Sequence, residues 1–206
     1  MIALLDTSED LKVCEAEIGV KVEQLLTPLT RFKPQYPKEM CAIENGGFAE
    51  FKEKAYLTLL DRESGRMSKV RWVTIPDVPG SARRTLECYE FWYPRICSWP
   101  LAFVCQDGQE DLPIPWEHVA AVFIGGSTSW KLSHHAAAIV KAAKIMGKLA
   151  HAGRVNTPGR FEYFEKLGVD SIDGTGLSRY SHMREDIWKQ YNTPNLFTEV
   201  ANESHP

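Results

Sequence analysis

Short runs of Val, Ile, Phe and Ala recur along the chain, each followed by a polar loop and then by apolar positions at helical spacing. That alternation is the rhythm of a parallel sheet, in which a crossover helix returns every strand to the same end. Strands are expected over residues 3–5, 41–43, 71–75, 101–105, 120–124, 148–151 and 171–172. These seven are one short of the eight in a TIM-like (β/α) barrel. Two alternatives stand: an eighth strand hidden in the poorly patterned residues 19–26, or an incomplete barrel.

The helices carry their own punctuation. Thr157 is a cap followed by Pro158 at the first helical position, Phe161, Phe164 and Leu167 form the inner face, and Gly168 closes the turn. Residues 48–62 place Phe51, Ala55, Leu59 and Leu60 near helical spacing, and the alanine-rich residues 134–146 stop at Gly147. Residues 81–92 start on Ser81 and are expected to end before Pro94. The proline-rich residues 28–37 read as a long loop, because too little chain precedes them to fold alone. A last helix over 183–191 precedes residues 192–206, which read as a flexible tail, so residues 1–206 form a single barrel domain.

Composition narrows the class. Hydrophobic residues at 44% and charged residues at 25% are ordinary globular values, and no stretch of about eighteen apolar residues offers a membrane span. The N-terminal residues 1–5 are apolar but run at once into acidic positions, unlike an export signal, so a cytoplasmic protein without a membrane partner is expected. The five cysteines are widely spaced and never in a CxxC pair, which argues against a disulfide framework and a thiolate zinc site. A formal net charge of −3 supplies no global attraction to nucleic acid and leaves room for a local basic face.

The chemistry is concentrated immediately after the strands. Strand ends lead into Glu44-Asn45-Gly46-Gly47-Phe48, Pro76-Asp77, Gln106-Asp107-Gly108, Gly125-Gly126-Ser127, Gly153-Arg154 and Asp173-Gly174-Thr175-Gly176. In a parallel barrel these lie on one face, the face on which βα loops build active sites. Glu44, Asp77 and Asp173 are the central groups: one carboxylate to attack an anomeric carbon, one to exchange protons, and one to read a guanine-like edge beside an amide. His151, two residues before Gly153, reads as a pocket or a core residue, core being the commoner place for such a histidine, and Trp130 as the tryptophan most worth testing for a role beyond packing.

Gly153-Arg154-Val155-Asn156-Thr157-Pro158 followed by Leu167-Gly168-Val169-Asp170-Ser171-Ile172-Asp173 resembles the Gly-x-Gly-Thr-Pro and Gly-Ile/Val-Asp-x-Phe-Asp pattern of the tRNA-guanine transglycosylase superfamily. Upstream, residues 44–48 resemble its Asp-Ser-Gly-Gly-Phe/Tyr, residues 106–108 its Gln-Gly-Gly, and residues 125–126 the Gly-Gly before its specificity loop. The resemblance spans roughly residues 40–180. It implies Asp173 as the nucleophile at C1′ and Glu44 as general acid and base. It further implies Asp77 and Gln106 on the base edge, Gly125 and Gly126 as backbone N–H donors, and Phe48 stacked on the ring, with Asn45 and Gly153 among the substrate-binding residues. No metal or redox cofactor is implied.

The departures are as informative. The family's cysteine/histidine zinc module after the nucleophile strand has no counterpart, Glu44 stands in place of aspartate, Asn45 in place of serine, and Ser127-Thr128-Ser129-Trp130 in place of a small hydrophobic loop. A compact barrel without the zinc module resembles the phage DNA-guanine transglycosylases. That resemblance implies a nucleic-acid substrate, DNA ahead of tRNA, in which guanine is exchanged for a free 7-deazaguanine base. Arg83, Arg84, Arg154, Arg160, Arg179 and Arg184 are the candidate phosphate contacts, with Arg154 and Arg179 preferred because they adjoin the catalytic motifs. Two alternatives stay open on sequence alone: an N-glycosidase or nucleotide hydrolase using water in the same pocket, and a barrel that binds a purine or nucleotide without turnover.

Overall fold

A computed structural model describes residues 1–30, 33–47 and 50–192, the last stretch without the side chain of Tyr191. Among the described residues eight strands close into one parallel barrel in sequential order. They are β1 (Ile2–Leu5), β2 (Val22–Leu26), β3 (Cys41–Ile43), β4 (Val70–Thr74), β5 (Leu101–Cys105), β6 (Ala121–Ile124), β7 (Leu149–Ala152) and β8 (Ser171–Asp173). The ring closes where β1 pairs with β8, Leu4 opposite Asp173.

The eighth strand is β2, inside the poorly patterned region. Its polar residues hide it: Glu23 is paired with Lys21 and Arg71, and the Gln24 amide donates to the carbonyls of Leu5 and Thr7. A strand whose buried polar side chains find partners of this kind needs no clean apolar run.

Side chains alternate along the strands. Leu4, Leu25, Ala42, Trp72, Ala102, Val104, Ala121 and Phe123 fill the lumen, while Ala3, Leu5, Ile43, Val73, Phe103, Val122 and Ile172 face the surrounding helices. The lumen is a packed core up to the strand C-termini.

The helices are α1 (Leu11–Ile18), α2 (Glu53–Glu63), α3 (Ala82–Ile96), α4 (Thr128–Lys131), α5 (His134–Ile145), α6 (Pro158–Leu167), α7 (Thr175–Arg179) and α8 (Ser181–Asn192). The expected punctuation of α6 is present: Thr157 accepts from the Arg160 amide, and Gly168 takes a left-handed φ of 86°. The expected end of α3 before Pro94 is corrected, since the helix runs on to Ile96. Proline there removes one hydrogen bond in the last turn, and Trp92 and Ile96 bury the face that holds the turn in place. Described residues of the 28–37 loop join β2 to β3 as expected, and the expected tail lies outside the described residues except for Asn192.

Arg184 is also corrected. It is only 1% exposed and bonds Glu9, Glu17 and the Leu177 carbonyl, so it clamps α8 to α1 and is withdrawn from phosphate contact. No helix among the described residues is long and apolar enough to cross a membrane.

Candidate functional site

The C-terminal mouth of the barrel opens into a cavity of about 440 Å³. Glu44, Asn45, Asp77, Gln106, Gly125, Gly126, Gly153, Arg154 and Asp173 all line it, over a floor of Thr74, Val104 and Phe123. The three carboxylates named from sequence therefore converge on one space. Arg179 does not line it; that side chain is exposed on α7, where its charge acts on Asp6. Phe48 lies outside the described residues.

Asp77 is held by neighbours from two other strand ends. Its Oδ1 accepts from Asn45 Nδ2 at 2.8 Å and its Oδ2 from Gln106 Nε2 at 2.6 Å. Gln106 is fixed in turn, because its Oε1 accepts the Gly126 amide at 2.7 Å and the Gly80 amide at 3.0 Å. The amide can be oriented only one way, with its NH₂ on the carboxylate. Burial raises the Asp77 pKa, and the Asn45 and Gln106 donors offset only part of that shift.

This network corrects the role given to the glycines. The Gly125 amide donates to the Cys105 carbonyl at 2.9 Å, continuing the β5–β6 ladder, and the Gly126 amide is engaged by Gln106. Neither N–H is left for a ligand. What Gly125 supplies is room: a Cβ there would come within 2.9 Å of both Gln106 Nε2 and Val104 Cγ1. Gly153 and Arg154 likewise have their amides engaged, by the Ile124 carbonyl and by Asp173, so a phosphate cradle on these four amides is not available.

Asp173 ends β8 and is 8% exposed. Its Oδ1 accepts the Arg154 amide at 2.8 Å, and its Oδ2 lies 3.1 Å from His151 Nε2. Arg154 takes a φ of 59°, uncommon for a residue with a side chain, and that conformation turns its N–H back onto Asp173. The turn is braced from both sides: the Arg154 guanidinium donates to the Gly126 carbonyl, and buried Lys131 donates to the Gly153 carbonyl. Burial, then the charge of Arg154, push the Lys131 pKa down to about 8.

Glu44 follows β3 and is half-buried at the cavity wall. Burial raises its pKa to about 8, reinforced by the carboxylates of Asp173, Asp77 and Asp6 and opposed by Arg154. At neutral pH it therefore holds a proton that it can give up near that pH, the property a general acid and base requires.

His151 and Lys131 do not line the cavity but bond groups that do, His151 the Asp173 carboxylate and Lys131 the Gly153 carbonyl; the sequence left His151 between pocket and core and did not single out Lys131. The signal for His151 was its place two residues before Gly153 on a lumen-facing position of the strand next to Asp173; Lys131, on a four-residue helix, carried none. Trp130 is a packing residue, 7% exposed, with its indole N–H on Glu110 at 2.8 Å. Among the described residues, one cluster of potential metal ligands, Glu9, Cys14 and Glu17, lies away from the cavity, and Arg184 bonds both of its carboxylates.

No family model matches the chain, and no curated protein matches it. Among solved structures it is similar to a chain of the Amycolatopsis orientalis BexX/CysO complex, at 10% identity and a TM-score of 0.54 over 100% of this chain and 93% of that one. It is also similar to phosphoribosyl anthranilate isomerase from Thermus thermophilus, at 10% identity and a TM-score of 0.47 over 92% of this chain and 97% of that one. At these identities the likeness is one of fold, and the fold is the closed eight-stranded TIM barrel.

Proposed function

We propose that the protein is a base-exchanging pentosyltransferase that replaces guanine in DNA with a free 7-deazaguanine by covalent double displacement. The observation that carries the reading is the convergence of Glu44, Asp77 and Asp173 on one cavity, with Glu44 raised to about 8 beside two other acids. The volume falls within the range of roughly 300–1,000 Å³ common for small-ligand sites.

In the first half-reaction an Asp173 oxygen attacks C1′, the C1′–N9 electron pair passes to the base, and Glu44 gives its proton to the departing guanine. In the second, the incoming base loses its N9 proton to Glu44, N9 bonds to C1′, and the C1′–O pair returns to Asp173. Protons and electrons balance with no redox step. Asp77 keeps lone pairs for the N1–H and amino group of the base while Asn45 and Gln106 hold its plane.

The acids lie inside a cavity at the barrel mouth, so a base in a duplex must first leave the stack to reach them. The exposed Arg179, outside the cavity, suits a backbone phosphate better than the base. The reading places the reaction in the cytoplasm, with DNA and a free base as its partners.

The test is incubation with guanine-containing DNA and 7-cyano-7-deazaguanine, followed by digestion to nucleosides and mass spectrometry. A 7-deazaguanine nucleoside is the expected product. Free guanine with an abasic sugar points to hydrolysis instead, and unchanged DNA under all conditions removes the reading.

A further inference from the structure

The lumen beneath Asp173 holds a polar group to which the exchange reaction gives no role. His151 is 0% exposed, with its ring between Trp72 and Phe123 at centroid distances of 4.8 and 4.4 Å. Both its nitrogens are engaged: Nδ1 lies 2.9 Å from Ser171 Oγ and Nε2 lies 3.1 Å from Asp173 Oδ2. β7 and β8 pair with His151 opposite Ser171, so the strand register itself brings the ring under the carboxylate two residues further on. Such a chain in an apolar core has little freedom to rearrange.

The carboxylate can only accept, so a bare Nε2 lone pair facing it would be repelled. The ring nitrogen facing Asp173 therefore carries the proton, and the serine fixes the ring from the other side. Two donors then hold the two oxygens of Asp173: a backbone amide on Oδ1 and an imidazole N–H on Oδ2.

We propose that His151 is a positioning residue that makes Asp173 a good leaving group in the second half of the reaction. The inference rests on the glycosyl-transfer reading. The physical argument is one of sign. A donor on a carboxylate stabilises the anion relative to its ester. When Asp173 attacks C1′ its charge falls and the donor opposes the step; when the C1′–O bond breaks and the pair returns to Asp173, the donor favours it. Loss of the N–H therefore eases capture of the sugar by Asp173 and slows its release, and the covalent adduct accumulates.

The experiment compares His151→Leu with His151→Gln, whose side-chain NH₂ reaches where Nε2 stood. In His151→Leu, turnover is expected to fall about 10- to 100-fold, the worth of a charged hydrogen bond, while the fraction of enzyme trapped as denaturation-resistant DNA adduct rises. His151→Gln recovers most of the turnover and returns the adduct toward the parent level. Should His151→Leu fail to fold, Ser171→Ala, which frees the far side of the ring, moves both quantities in the same direction by a smaller factor. An adduct that declines in step with turnover, or a glutamine variant no better than leucine, overturns the proposal.

Two kinds of failure stay distinguishable. Absence of any adduct in the parent protein with DNA and 7-cyano-7-deazaguanine overturns the glycosyl-transfer reading and the leaving-group role together. An unprotonated Nε2 in ¹⁵N spectra of histidine-labelled parent protein, assigned with His151→Gln, overturns the role of His151 alone.

Discussion

The two ends of the barrel bury carboxylates and treat them in opposite ways. Where β2 and β4 begin, Glu23 is 1% exposed and bonded by Arg71 through two nitrogens and by Lys21 at 2.8 Å. Burial alone would raise its pKa, but the two cations outweigh burial and hold it below the usual carboxylate range. At the other end, Asp77 receives only neutral amide donors, and Glu44 faces three further acids with Arg154 as the opposing charge. Burial prevails there and both pKa values rise. A buried acid surrounded by cations is scaffold, whereas one surrounded by acids keeps a proton it can transfer.

The sharpest way to break this comparison is to remove acids at each end and ask which loss is chemical and which structural. Asp173→Ala should lower exchange by at least about 10⁴-fold, as for removal of other members of a covalent catalytic set; intact turnover in a nucleoside assay would dismiss it as nucleophile. Glu44→Gln keeps the shape and loses the transferable proton, so the rate of guanine release should fall by about 10³-fold, within the range of acid–base contributions. Single-turnover kinetics measure that step, and a release rate within tenfold of the parent would remove Glu44 from the proton path.

At the scaffold end the loss is one of stability. Arg71→Ala strips Glu23 of its main partner and should cost about 3 kcal/mol in urea unfolding, toward the lower end for a broken buried pair because Lys21 remains. Guanine affinity should not move, and a parallel loss of affinity would erase the distinction between the two ends. Asp77→Ala does the converse. Guanine affinity by calorimetry should weaken about 10- to 100-fold, the worth of a hydrogen bond to a charged group, while DNA affinity stays within about threefold, because phosphate contacts dominate chain binding. Equal losses in both would refute a base-reading role.

Much of this contrast was legible before any coordinates. The strand-loop-helix rhythm located seven strands, and the polar residues after them marked the mouth, because a parallel barrel puts every strand end on one face. β2 was obscured by Glu23 and Gln24, whose buried polarity makes sense only once Arg71 and the Leu5 and Thr7 carbonyls are seen beside them. The donor role assigned to Gly125 and Gly126 failed for a similar reason, since a sequence does not record where an amide already donates. His151 was left between pocket and core, and it is buried, but the residue it touches on the next strand is visible only in the fold. Arg184 misled in the other direction: one of six arginines expected at or near the active face, it looks like a phosphate ligand until its two glutamates appear, more than 160 residues away in the chain.

The smallest expected effect tests the electrostatics without any substrate. Glu44 has a folded-state pKa of about 8 against 4.5 for the ordinary side chain, so the folded protein binds this proton more tightly than the unfolded chain does. The resulting stability is fully present below pH 4.5 and is lost as pH rises through about 8, where the folded state must ionise the group beside Asp173 and Asp77. Glu44→Gln cannot ionise. Its melting temperature should match the parent near pH 4 and exceed it at pH 9 by at least about 3 °C, the shift that about 1 kcal/mol gives in a domain of this size. Glu23→Gln should behave in the opposite sense, destabilising most at neutral and alkaline pH and least in acid, because the group it removes has a lowered pKa and stabilises only when ionised. If the two variants instead shift stability in the same direction at pH 9, the mouth and the base of the barrel do not differ in counter-charge, and the proton assigned to Glu44 has no electrostatic origin.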